Sequence, residues 1–252
     1  EMRKIKINPK YEHLRNFIES IPDVFEEKGR EIYHLRNVIK VLTAPDGTII
    51  NIKRFHQPRS LNRLIYSWNI RVPKGQRAYD YSFLLNQKGI QTPEAVALIE
   101  ERNSLNLLGY SYLITQQCDF PHTLYDVKDA KTGEYEQLAK SLAHYAAKMH
   151  LAGIMHKDFT PGNILWKSDH EGFHFMIVDI NRMYFGKIST LKGLDNMKRF
   201  WGPKHFTEIL AEEYAQLKYY DTGKAVKYIL NKRKKFWTHY LKKHEIPFTM
   251  EF

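Results

Sequence analysis

The pattern of apolar residues changes along the chain, and this change constrains the fold more than any other feature. In the first 117 residues, runs such as 30–42 and 48–55 are rich in β-branched and aromatic residues, which is typical of strands. In residues 134–153 the apolar residues recur at a period near 3.6, which predicts a long helix. A strand-rich part followed by a helix-rich part indicates an α+β chain.

The order of the predicted elements indicates two lobes with a cleft between them. Residues 1–117 are predicted to form a small antiparallel sheet with one inserted helix at 76–88, which ends at Gly89. Residues 118–252 are predicted to form a mainly helical lobe around the helix at 134–153. The remaining predictions are a break in the first strand run near Arg36 and Asn37, a strand at 173–180, and helices at 189–201, 204–219 and 222–243.

The chain is strongly basic, and its charge is unevenly distributed. It has 39 Lys and Arg against 28 Asp and Glu, a net charge of +11, which favours an anionic partner. No acid occurs between Asp46 and Asp80 or from Thr222 to His244, whereas both stretches contain many bases. We expect anion-facing surfaces there, although solvated surface is an equal alternative for either cluster.

Composition excludes several classes of protein. The single cysteine, Cys118, excludes an internal disulfide framework and a cysteine-based metal site. Neither a long apolar run nor a signal-peptide pattern occurs in the sequence, so we expect a cytoplasmic protein without a transmembrane helix.

The segment HKDFTPGNILW, residues 156–166, has the spacing of a kinase catalytic loop. His156, Asp158 and Asn163 match the pattern H-x-D-x4-N, for which the composition predicts only about 0.03 chance matches. Phosphoryl transfer needs a carboxylate that orients the acceptor hydroxyl and oxygen ligands that hold Mg²⁺. Asp158 and Asn163 supply both groups from one loop, whereas in an ordinary polar loop Asp158 would only cap a turn.

Asp179 is the candidate for the second metal ligand. It ends the apolar run of the strand predicted at 173–180, where a buried carboxylate is costly unless it is paired or binds a metal. Because Mg²⁺ prefers oxygen ligands, Asn163 and Asp179 form a plausible pair. The alternative is that Asp179 caps a helix.

Lys53 is the candidate phosphate clamp. The stretch INIK places it on a strand, on the face opposite Ile50 and Ile52, as in the VAIK pattern of kinases. Such a lysine usually has an acidic partner on a neighbouring helix, and Asp80 is the only acid between Asp46 and Glu94. The alternatives are a solvated lysine and an exposed Asp80.

Together these residues resemble the protein-kinase-like fold and, more closely, the lipopolysaccharide core kinases of the Kdo/WaaP type. The resemblance rests on the stretches INIKRF, RAYDYSFLLNQKGIQTPEAVALIE, MHLAGIMHKDFTPGNILW and IVDINRMYFG, and it covers residues 24–240. It implies ATP and Mg²⁺ as cofactors. It also implies transfer of the γ-phosphate to a sugar hydroxyl, on Kdo or heptose, in the inner core of lipopolysaccharide.

The same resemblance implies a role for each site residue. Asp158 would be the catalytic base, Asn163 and Asp179 the metal ligands, and Lys53 the phosphate clamp held by Asp80. His156 would brace the loop. The adenine would meet the connection between the nucleotide-binding N-terminal lobe and the C-terminal lobe, through backbone groups. The residues of this connection that would contact the adenine are Gln116, Gln117 and Cys118.

The chain departs from the protein-kinase pattern at three places. A glycine-rich GxGxxG loop is missing, so the phosphates would be covered by the turn at 34–37 or by residues 28–30. Asp179 is followed by Ile180 and Asn181 instead of Phe-Gly, and no APE motif follows. The short segment after Asp179 excludes a long activation loop, which favours a glycan or small-molecule kinase.

Several alternatives for function and partner remain. The chain could be an atypical protein kinase or another small-molecule phosphotransferase, but its basic charge disfavours cationic antibiotics as acceptors. It could also be a pseudokinase or a nucleic-acid-binding module, which the retained Lys53, Asp158, Asn163 and Asp179 disfavour. We expect an anionic lipid-linked saccharide as acceptor. The basic aromatic helix at 222–243 offers contact with an anionic membrane, at the inner face of the inner membrane, as an alternative to a solvated helix.

Overall fold

The chain forms two compact units. The computed structural model describes residues 2–68 and 70–252, which divide into the units Glu1–Asp119 and Phe120–Phe252. The predicted boundary after residue 117 lies two residues from this division. The roles given to the two lobes stay predictions.

The first unit contains a six-stranded antiparallel sheet. The strands are β1 (Met2–Ile7), β2 (Arg30–His34), β3 (Val38–Thr43), β4 (Ile49–Phe55), β5 (Ala95–Arg102) and β6 (Leu108–Gln116), in the order β1-β5-β6-β4-β3-β2. The predicted break in residues 30–42 is confirmed, because a tight turn at 35–37 separates β2 from β3. The prediction of an antiparallel sheet in an α+β fold is therefore confirmed.

Three α-helices accompany this sheet, among the described residues. They are α1 (Arg15–Val24), α2 (Ser60–Ser67) and α3 (Lys74–Gln87). The helix predicted at 76–88 is α3, and Gly89 follows it with a φ of 74°. The prediction of a single inserted helix was wrong, because α2 also lies between β4 and β5. Its eight residues are too few for a helical period to show clearly in the sequence.

The two faces of β4 have the environments that its alternation predicts. Ile50 and Ile52 are buried in a cluster that includes Ile18 and Ile21 of α1. Lys53 and Phe55 point to the other face, since successive side chains of a strand alternate. Helix α3 covers that second face of the sheet.

The second unit combines short strands with four α-helices. Its strands are β7 (His122–Thr123), β8 (Ile154–His156), β9 (Ile164–Asp169), β10 (Gly172–Ile177) and β11 (Met183–Phe185). Its helices are α4 (Glu136–Leu151), α5 (Thr190–Asn196), α6 (Lys204–Leu217) and α7 (Thr222–Tyr240). Helix α6 packs against α4 and α7, and these contacts form the core of the unit. None of the helices described is long and apolar enough to cross a bilayer.

The five elements predicted in this unit all extend beyond the observed ones: the helices predicted at 134–153, 204–219 and 222–243 end at Leu151, Leu217 and Tyr240. The strand predicted at 173–180 ends at Ile177, and the helix predicted at 189–201 ends at Asn196. Beyond Asn196 the backbone continues in turns, in which the N–H groups of Met197 and Phe200 donate to the carbonyls of Leu194 and Met197. The buried guanidinium of Arg233 then donates to the carbonyls of Phe200 and Gly202, at 2.6 and 2.9 Å.

Candidate active site

His156 fixes the start of the loop that joins β8 to β9. Its ring is completely buried, and its Nε2 donates to the carbonyl of Val178 at 2.9 Å. Its Nδ1 accepts from the backbone N–H of Asp158 at 3.0 Å. Burial lowers the pKa of His156, which favours the neutral ring that both bonds require. The histidine therefore ties the loop to the segment after β10.

Asp158 presents a carboxylate that is only partly covered. Its exposed side-chain fraction is 27%, and Nη1 of Arg182 lies 2.9 and 3.2 Å from its two oxygens. Nη1 of Arg199 approaches to 3.9 Å. Neither arginine was assigned a role from the sequence, although Arg182 lies within the stretch IVDINRMYFG.

Asn163 is held by its amide nitrogen. Nδ2 donates to the backbone carbonyl of Asp158 at 2.9 Å, and the backbone carbonyl of Asn163 accepts from Val178 N–H at 3.0 Å. No donor among residues 2–68 and 70–252 makes a hydrogen bond with Oδ1. That oxygen is the kind of ligand that a hard cation prefers.

Asp179 follows directly after Val178, which is bonded to both His156 and Asn163. Its Oδ1 accepts from Nδ2 of Asn181 at 2.7 Å, and its backbone adopts a left-handed φ of 55°. The expectation that it ends a buried strand was wrong, because it lies two residues beyond β10 and is exposed. The burial cost invoked for it therefore does not apply. An amide oxygen and a carboxylate on adjoining, cross-bonded segments nevertheless suit Mg²⁺ as a donor set.

The predicted clamp residues lie on one side of the first unit. A Cβ on Gly75, near the start of α3, would lie 3.6 Å from the ring of Phe55, which shares its strand face with Lys53. Helix α3, with Asp80, therefore covers the face that carries Lys53. Asp80 is exposed and accepts from Nε2 of Gln76 at 2.8 Å. A direct Lys53–Asp80 bond stays a prediction.

The predicted adenine segment has part of its backbone already engaged. The N–H of Gln116 donates to the carbonyl of Glu94, and the N–H of Gln117 donates to that of Ile49, both at 2.9 Å. A nucleotide that uses these two residues would have to use their carbonyls. Cys118 is half-buried, and its carbonyl accepts from Nε2 of Gln117 at 3.2 Å.

The two candidates for the phosphate-covering segment lie at opposite ends of β2. The turn at 35–37 joins β2 to β3, whereas residues 28–30 lead into β2. In the turn, Oδ1 of Asn37 accepts from the backbone N–H of His56, just past β4, at 3.1 Å. The hairpin tip is thus tied to the end of the strand that carries Lys53.

These features define a phosphotransferase with a protein-kinase-like fold. The first unit is an antiparallel sheet with a lysine-bearing strand and a helix over the same face. The second unit holds a His–Asp–Asn loop between a long helix and a β-hairpin.

The particular family follows from comparison with known proteins. The model of the lipopolysaccharide kinase (Kdo/WaaP) family matches residues 28–215, and the chain belongs to this family. The predicted family and the kinase class of activity are thereby confirmed. No curated protein matches the chain in sequence.

Two solved structures are similar to the chain. The structure described as "WaaP in complex with acyl carrier protein" is 15% identical, with a TM-score of 0.59, and covers 93% of this chain and 99% of that chain. A Rio2 kinase–ADP/Mg²⁺–phosphoaspartate complex from Chaetomium thermophilum is 13% identical, with a TM-score of 0.47, and covers 89% and 77%. The WaaP likeness confirms the predicted two-lobed, protein-kinase-like fold class.

Proposed function

We propose that the chain transfers the γ-phosphate of ATP to a sugar hydroxyl, on Kdo or heptose, of the lipopolysaccharide inner core. The observation that carries this proposal is the partly open Asp158, held by the buried neutral His156 and bonded through its backbone to Asn163. Such a carboxylate accepts a hydrogen bond from the acceptor hydroxyl and orients it for attack.

The other site residues are proposed to bind the metal ion, bind the phosphates and support the loop. Oδ1 of Asn163 and the carboxylate of Asp179 would hold Mg²⁺, which supplies charge neutralisation on the phosphates when it is bound. Lys53, steadied by Asp80, would hold the phosphates from the first unit. His156 keeps the loop in place and does not exchange a proton, since both of its nitrogens are already bonded.

The surface of α7 supports an anionic acceptor. Its buried residues, Ala225, Ile229, Arg233 and Trp237, face the core of the unit. Its exposed positions include Lys224, Lys227, Lys234 and Lys235. The apolar face of α7 is packed inside the unit. Contact of α7 with the inner face of the inner membrane would therefore be electrostatic and would not involve insertion of apolar side chains.

A protein partner is part of the proposal as well. The similar WaaP structure contains acyl carrier protein. We expect the same kind of partner here. The test is whether acyl carrier protein, added in purified form, remains bound to the chain when the chain is purified from the mixture.

The activity is tested by ADP release with purified core saccharide, Mg²⁺ and ATP. Asp158→Asn should lower turnover by about 10²–10⁴-fold, the usual contribution of a general base. Asp129→Asn, an exposed substitution in the same unit, should leave turnover unchanged. Undiminished turnover in Asp158→Asn would refute the mechanism. A pseudokinase or other binding module would show no ADP release in the wild type, whether or not Mg–ATP raises its melting temperature.

A further inference from the structure

Two arginines bracket the carboxylate that is proposed to orient the acceptor. We propose that Arg182 and Arg199 form a subsite for an anionic group, a carboxylate or a phosphate, on the acceptor sugar beside the reacting hydroxyl. This inference rests on the proposed function and deepens it, because it states which acceptors the site prefers.

Arg182 is fixed by its backbone. Met183, at the start of β11, pairs with His156, the last residue of β8. The carbonyl of Arg182 accepts from the N–H of Lys157 at 3.0 Å, so its Cα is held opposite the residue that precedes Asp158. Its side chain is about half exposed, which leaves the outer side of the guanidinium open.

Arg199 is fixed by packing. Its guanidinium lies over the ring of Phe236 on α7, 5.1 Å from the centroid, and its side chain is 34% exposed. The next residue, Phe200, packs edge-on against Phe159 of the catalytic loop with 5.1 Å between ring centroids. Its carbonyl is held by Arg233. The two arginines thus approach Asp158 from two separate segments, one just before β11 and one after α5, and each segment is held by its own contacts.

The hydrogen-bonding capacity of the pair greatly exceeds what Asp158 uses. A guanidinium carries five N–H donors, but only Nη1 of Arg182 donates to Asp158. In the part of the chain that the structure describes, Nε and Nη2 of Arg182 have no acceptor, and Arg199 makes no hydrogen bond. Two guanidinium groups also lie within 4 Å of the single carboxylate of Asp158.

This surplus fits an anionic acceptor better than a neutral one. An acceptor hydroxyl bonded to Asp158 brings the rest of its sugar ring beside both guanidinium groups. A carboxylate or phosphate on that ring would receive charge-assisted, planar hydrogen bonds of the kind that arginine provides best. A neutral ring would leave the positive charge facing water.

The subsite is tested by binding, separately from turnover. The probes are the methyl glycoside of a 3-deoxy sugar acid, the same glycoside with its carboxyl group reduced to an alcohol, and a sugar phosphate. Titration calorimetry on the full chain should show the sugar acid or the sugar phosphate binding about 10–100-fold more tightly than the reduced glycoside. Whichever of the two anionic probes binds better identifies the source of the anion.

Variants separate the subsite from general charge effects. Arg182→Gln and Arg199→Gln should each abolish most of this preference and raise KM for the core saccharide but not KM for ATP. Lys140→Gln removes the same charge from an exposed position on α4 and should change neither. Arg182→Lys should restore only part of the preference, since it keeps the charge but loses the planar fork.

The outcomes distinguish this inference from the proposed function. Equal affinity of the wild type for the three probes would overturn the subsite, even if core saccharide is phosphorylated. A rise in KM for ATP alone would also overturn it, because the arginines would then contact the transferred phosphoryl group. Selective, arginine-dependent binding without any phosphorylation of core saccharide would leave the subsite standing and refute the proposed function.

Discussion

Arg233 is the largest completely buried side chain among the described residues, and it is a cation. Its guanidinium donates to the carbonyls of Phe200 and Gly202 and to Oγ1 of Thr207. Burial lowers the pKa of Arg233 to about 10, so the group stays charged at neutral pH. A single residue thereby holds the segment that follows α5 and carries Arg199.

Arg233→Met should lower the free energy of unfolding by about 3 kcal/mol, measured by urea denaturation. The substitution fills similar space but leaves two buried carbonyls without donors. Acceptor turnover should fall as well, since Phe200 then no longer supports Phe159 as firmly. Lys234→Met, at the exposed neighbouring position of α7, should change the free energy of unfolding by less than about 0.5 kcal/mol. Equal effects of the two substitutions would contradict a clamping role.

The crossing of α5 over its neighbours depends on a glycine. A Cβ at Gly193 would collide with the hydroxyl of Tyr214 on α6 and lie 2.8 Å from Nδ1 of His150 on α4. These two side chains are themselves hydrogen-bonded at 2.8 Å. The close approach of three helices therefore requires the absence of a side chain at this one position.

Gly193→Ala should destabilise the chain by about 2–4 kcal/mol, from overpacking and the disrupted hydrogen bond. In an open helical position the same change stabilises by about 0.5–1 kcal/mol. Gly223→Ala provides that comparison, because its Cβ would meet only Asp221 Oδ1, at 3.5 Å. Urea unfolding of both variants measures the difference. A neutral Gly193→Ala would mean that α5 can shift freely.

Sequence patterns within a short stretch predicted the features that depend on neighbouring residues alone, such as strand faces, turns and motif spacing. Alternation in β4 assigned Lys53 to the face opposite Ile50 and Ile52, and the turn near Arg36 and Asn37 was visible as an interruption of a strand pattern. The candidate catalytic loop was recognised because phosphoryl transfer requires a fixed spacing of its residues. Its position between a long helix and a strand is the observed one.

Features that depend on distant partners could not be predicted. The segment after α5 is held by Arg233, more than 30 residues away from Phe200 and Gly202, and no pattern in residues 189–201 reveals it. The arginines beside Asp158 come from two further segments. The basic stretch between Asp46 and Asp80 was also misleading as a guide to surface, because Arg54 pairs with Glu26 and Arg63 donates to the carbonyl of Leu108. A run of charges in sequence thus becomes a charged surface only where no internal acceptor claims the side chains.

Stability of the whole molecule should depend on pH through two buried histidines. Burial lowers the pKa of His150 to about 4 and also lowers that of His156 from its ordinary 6.5. Both rings are neutral in the folded chain, whereas in the unfolded chain they bind protons as the pH falls through about 6.5. Because the unfolded state then binds more protons, the free energy of unfolding falls as the pH drops below that value.

Urea unfolding should show a loss on the order of 2–4 kcal/mol between pH 7.5 and pH 5. The carboxylates with lowered pKa values, such as Asp46 at about 2, protonate in the unfolded chain only below this window. For His150 the loss should continue to about pH 4, where the folded ring itself takes up a proton. A flat profile from pH 7.5 to pH 5 would contradict neutral buried rings.

His150→Gln isolates one of the two contributions. Glutamine can donate to Oδ1 of Asn196 and accept from the Tyr214 hydroxyl, as His150 does at 3.1 and 2.8 Å, but it does not titrate. The variant should lose about half of the pH dependence between pH 6.5 and pH 5, whatever its stability at pH 7.5. The slope of the free energy of unfolding against pH is therefore the quantity to compare, since a merely structural loss shifts the whole profile without changing that slope. An unchanged slope in His150→Gln would mean that the ring is already protonated in the folded chain.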